Sequence, residues 1–73
     1  MNLKKGSKVS VLRKSENSEN WQEVGKGIVK SFRYNFADVP AFAEILFKEN
    51  MDANVTELIA LNSKYIKVVE LLN

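Results

Sequence analysis

The chain has 73 residues, a net charge of +2, and neither cysteine nor histidine. That length supports one domain over residues 1–73 and leaves no room for a second core. Without Cys or His there is no disulfide framework, no soft-metal site of the usual kind and no conventional base for a serine nucleophile.

The charge is uneven. Residues 1–37 hold eight Lys/Arg against three Glu, a balance of +5, and residues 38–73 hold three Lys against six acids, a balance of −3. Nine Lys against two Arg, with eight Asn, are the usage of an AT-rich genome and suggest a bacterial or phage source. The opening "MNLKKGSKVSVLRKS" is charged and has no apolar stretch of signal-peptide type. No apolar run approaches the ~20 residues of a membrane helix. The expected setting is therefore cytoplasmic, with no membrane partner.

In chain order, Lys5-Gly6-Ser7 reads as a turn. "KVSVLRK" follows, with Val9 and Val11 alternating against polar neighbours at strand period. "SENSEN" carries no apolar anchor and reads as a solvated loop closed by Trp21. "WQEVGKGIVKSFRYNF" is rich in β-branched and aromatic residues, with Gly25 and Gly27 marking a bend or bulge. Its parity is mixed: Ile28, Lys30, Phe32 and Tyr34 fall on one face, Val29 and Arg33 on the other. A register change at the glycines, or a bent strand serving two sheets, accounts for this.

Residues 38–50, "DVPAFAEILFKEN", fit two patterns. Asp38 as N-cap and Pro40 in a first turn make a helix. Ala43, Ile45 and Phe47 inward with Glu44 and Lys48 outward make a strand. "NMDAN" is a turn cluster. Residues 55–72 present a helical stripe broken at Asn62. They also divide into two β-branched runs around a polar step, and turn-favouring Asn62-Ser63 tips the balance to strand, one-turn helix, strand.

Two stretches carry a resemblance. "Leu61-Asn62-Ser63-Lys64-Tyr65-Ile66-Lys67-Val68-Val69" resembles the closing segment of SH3-like small barrels, where one 3-10 turn and a Tyr precede the last strand. "Val24-Gly25-Lys26-Gly27-Ile28-Val29" resembles the glycine-then-valine second strand of KOW-type barrels. The resemblance implies an all-β fold: a single five-stranded SH3-like barrel with one 3-10 turn near the C-terminus. The competing reading is α+β, an N-terminal β-hairpin followed by two helices. There are departures too. The tyrosine-rich opening of SH3 peptide binders is missing, Asn62 stands where their Pro is expected, and Trp21 precedes the second strand. The resemblance therefore bears on the fold more than on polyproline binding.

No constellation points to catalysis. The serines and Thr56 have no histidine beside them, and Glu44/Glu49 and Asp52/Glu57 stand five apart, a spacing that pairs them on neither a helix nor a strand. Gly25-Lys26-Gly27 lacks phosphate-loop spacing. The chain is expected to be a non-enzymatic binding or accessory module with no cofactor. In the barrel reading, the loops near 14–22 and 35–41 and the turn at 62–65 converge on one rim. That rim would gather Trp21, Tyr34, Phe36 and Tyr65 beside Glu16, Glu19 and Glu23, and would suit a protein or peptide. The alternative is a nucleic-acid surface of Lys26, Lys30 and Arg33 on the second strand, interleaved with aromatics. A homo-oligomer formed through an open sheet edge is the third arrangement.

Overall fold

The computed structural model describes residues 3–35 and 38–72. Five strands follow in order: β1 (Lys8–Arg13), β2 (Gln22–Tyr34), β3 (Pro40–Phe47), β4 (Glu57–Ala60) and β5 (Ile66–Glu70). They form one sheet in the order β4-β3-β2-β1-β5, with every neighbouring pair antiparallel. The fold is all-β, and the helical readings of 38–50 and 55–72 are set aside.

The thirteen-residue β2 organises the sheet. Its first half pairs with β1 (Val9↔Gly27, Val11↔Gly25) and its second half with β3 (Gly27↔Phe47, Phe32↔Ala43). Only Gly27 and Ile28 have partners on both sides. The glycines make this handover possible. A Cβ on Gly27 would press on the Leu46 carbonyl and stand 2.9 Å from both Ile45 Cγ2 and Phe47 Cα. The backbone of β3 thus lies where a side chain would be, and β2 can coil sharply.

Val9, Val11, Val29, Ala43, Ile45, Phe47 and Val68 form the buried cluster, with Leu3, Phe32, Ile59, Leu61 and Ile66 packed against it. The inward alternation of Ala43, Ile45 and Phe47 is as the strand reading has it. The parity of β2 is not, because Val29 and Phe32 both reach the core. The ladder with β3 shifts register between Val29 and Ser31, and this irregularity turns Phe32 to the side of Val29. A second shift, at Val11/Leu12, lies opposite Val24 in the β1–β2 ladder.

β4 and β5, the two edges of the sheet, approach each other without pairing, so the curled sheet does not close into a full barrel. They have four and five residues respectively, and each spends one edge on its neighbour in the sheet.

Among the described residues the one 3-10 turn lies at Lys48–Asn50, between β3 and β4, and not at 62–65. In the 62–65 bend a side chain takes the backbone donor: Ser63 Oγ accepts the Tyr65 N–H at 3.1 Å. The Tyr65 carbonyl in turn accepts the Lys14 N–H at 3.0 Å, so the bend is tied across to the end of β1.

The connections follow local turn chemistry. Gly6, at φ +90°, turns the chain so that its N–H donates to the Val29 carbonyl at 2.8 Å. Asp38 is not a helix N-cap. It sits at φ 59° in the β2–β3 turn, a backbone region Asp tolerates better than most residues. Pro40 then opens β3, a strand position that suits a residue without an N–H.

Candidate functional site

Trp21 closes the β1–β2 loop half-buried, and cations surround it. Lys67 Nζ lies 4.5 Å and Lys14 Nζ 5.1 Å from the indole ring centre. Lys67 is brought there by its pairing with Leu12, and Lys14 by the bond to Tyr65. Beneath the loop lies a polar cavity of about 320 Å³, lined by Arg13, Lys14, Ser15, Ser18, Asn20, Gln22, Glu23 and Val24. The Glu23 carboxylate is engaged by the buried Ser10, whose hydroxyl donates to Oε2 at 2.5 Å. Glu16 and Glu19 are exposed on the loop and do not line this cavity.

Tyr34 belongs to a different group. Its ring packs at a tilt against Phe32, with centroids 6.4 Å apart. The two rings wall a notch of about 370 Å³ completed by Leu3, Val39, Pro40, Leu61 and Asn62. Among the described residues no charged side chain lines it. Tyr34 and Val39 are 58% and 55% exposed, so this apolar notch faces solvent.

The expected rim is thus divided. Trp21 faces the Lys14 ammonium and the Tyr65 carbonyl accepts the Lys14 N–H, Tyr34 stands at the notch, and Phe36 lies outside the described residues. The 62–65 bend touches both groups, through Asn62 at the notch and Tyr65 at Lys14. The charged groups seen against the Trp21 ring are the ammoniums of Lys14 and Lys67.

The basic set of β2 is divided as well. Arg33 Nε donates to Glu44 Oε1 at 2.8 Å, the one ion pair among the described residues. The Arg33 hydrogen bond holds the Glu44 carboxyl below its ordinary range, with the Ser31 and Thr56 hydroxyls adding to the effect. Arg33 is therefore paired with Glu44 in the folded chain. Lys26 and Lys30 are exposed and free of ion pairs among the described residues.

Sequence reasoning missed Leu3, Val39, Pro40, Leu61 and Asn62 at the notch. They come from three separate segments, and only Phe32 and Tyr34, two apart on one strand, carried a local signal. Among the described residues no group of three or more Asp or Glu is placed to hold a metal ion, and no helix is long and apolar enough to cross a membrane. Compared with protein-family models, curated proteins and solved structures, the chain has no significant match.

Proposed function

We propose that the chain is a non-enzymatic binding module of SH3-like type that holds a short protein segment in the notch at Tyr34. The SH3-like assignment draws support from the strand order, from a bent β2 shared between β1 and β3, and from the pairing of the last strand with the first. The observation that carries the function is the exposed, uncharged, aromatic-walled notch. Exposed apolar concavities of this kind are costly to leave in water and suit an apolar or proline-bearing side chain of a partner. The fold and the composition fit a cytoplasmic bacterial or phage protein.

The test is selection from a displayed peptide library, followed by titration of the selected peptide into the wild type and Tyr34→Ala. Binding should vary little with salt, be lost in Tyr34→Ala and persist in Trp21→Ala. Loss in Trp21→Ala with retention in Tyr34→Ala would overturn the assignment.

A second reading, nucleic-acid binding, draws on Trp21. An aromatic ring between Lys14 and Lys67, beside a cavity holding Arg13, combines stacking surface with cations. Such binding would fall steeply with salt and would quench the fluorescence of Trp21.

A further inference from the structure

Apart from the notch and the Trp21 group, the sheet forms a cleft that neither reading uses. It measures about 370 Å³ and is lined by Lys8, Lys26, Gly27, Ile28, Lys48, Met51 and Leu71. The register assembles it. Lys8 pairs with Ile28, Gly27 pairs with Phe47, and Lys48 follows Phe47 directly, so three lysines from three elements border one opening. The Leu71 N–H donates to the Lys8 carbonyl at 2.8 Å and holds Leu71 at the same place.

Two features of this cleft stand out. Among the described residues no carboxylate lies within ion-pair distance of any of the three ammonium groups. Glu23 and Glu49 line a second cleft that shares Lys26 and Lys48, and there Glu23 is occupied by Ser10. The remaining lining, Ile28, Met51 and Leu71, is apolar. Like charges bordering one opening repel unless an anion sits between them. The apolar part offers contact for the uncharged body of the same ligand.

We propose that this cleft binds a phosphate ester, its phosphate held by Lys8, Lys26 and Lys48 and its organic body resting on Ile28, Met51 and Leu71. Ammonium groups act on phosphate as rotatable point charges, which suits three lysines on flexible stems. The volume lies in the range of small-ligand pockets. The site is separate from the Tyr34 notch and does not depend on it.

The experiment is an amide-shift titration with adenosine monophosphate, with adenosine, sodium chloride at matched ionic strength, polyglutamate and an oligo-dT strand as parallel arms. Adenosine monophosphate is expected to shift the amides of residues 8, 26–28, 48, 51 and 71, while adenosine and chloride do not. Its affinity should drop about ten-fold for each of Lys26→Gln and Lys48→Gln. Both lysines are exposed, and a thermal melt of each variant checks that it folds. Much tighter binding of oligo-dT at the same amides would identify the ester as part of a strand, and comparable or weaker binding would identify a free ligand. The proposal is overturned if neither phosphate probe binds, if polyglutamate or chloride reproduces the shifts, or if the shifts cluster at Lys14, Trp21 and Lys67. A Tyr34→Ala variant should bind adenosine monophosphate as the wild type does, which keeps this result independent of peptide binding.

Discussion

The Phe47 ring lies directly over Gly25: a Cβ placed on Gly25 would stand 3.0 Å from Phe47 Cδ1. Phe47 is 2% exposed and among the largest fully buried side chains of the core. The missing side chain on β2 is thus the space into which β3 sends its largest buried one.

The two glycines should respond differently to alanine. At Gly25 the obstacle is the edge of a ring, which can tilt, and Gly25→Ala should cost about 1–2 kcal/mol. At Gly27 the obstacles are the Leu46 carbonyl and the Phe47 Cα, which belong to backbone. Gly27→Ala should cost more than about 3 kcal/mol, a large share of the roughly 4–10 kcal/mol a domain of this size has. Urea unfolding of the two variants checks the order, and equal losses would contradict it.

Folding and binding should separate at the Phe32–Tyr34 pair. Tyr34 is mostly exposed, so Tyr34→Ala should change stability by no more than about 0.5 kcal/mol. Phe32 packs against the core, and Phe32→Ala should cost about 2–4 kcal/mol. Thermal melts of both proteins give the comparison.

Glu44 should make acid stability depend on Arg33. Its folded-state pKa lies below the ordinary value of 4.5, so its contribution is complete above that value. The contribution disappears as the pH falls through the lowered folded-state pKa. In Glu44→Gln this part of the acid loss should vanish, giving a flatter stability profile below about pH 4.5 than in the wild type. Denaturant midpoints measured across the acid range test this, and an unchanged slope would remove Glu44 from the account.

The cations at Trp21 should be visible in its emission, since it is the sole tryptophan. Removing the nearer one, in Lys67→Ala, should shift the emission maximum and cost about 0.5–1 kcal/mol. Lys14→Ala, at the longer distance, should do less. Identical spectra in all three proteins would mean that neither ammonium rests on the ring in solution.

Much of the architecture was legible where a local rule decides it. The alternation of Val9 and Val11 and of Ala43, Ile45 and Phe47 gave strands and their buried faces, and Gly25 and Gly27 announced the bend. Turn chemistry placed the break at Asn62-Ser63 but not its form, because a serine hydroxyl replaced the backbone bond that a 3-10 turn needs. Simple alternation separates Phe32 from Val29, yet both reach the core, because a bulge reverses parity without leaving a residue signature. The placing of Trp21 and Tyr34 in separate groups is not legible in the sequence, because loop convergence depends on how far the sheet curls, which no stretch of sequence states. The Lys8, Lys26 and Lys48 cleft was beyond reach for the same reason: eighteen and twenty-two positions separate its members, and only the register joins them.

The pairing of β5 with β1 sets how the fold answers a pull. Val9 stands opposite Glu70 and Arg13 opposite Ile66, so the chain enters β1 and leaves β5 at the same end of an antiparallel pair. The hydrogen bonds of such a pair run across the strands. Tension transmitted through residues 8 and 71 therefore falls on the Leu71–Lys8 bond first and then on its neighbours one at a time. The sheet unzips from that end, at low force, instead of resisting as a sheared block.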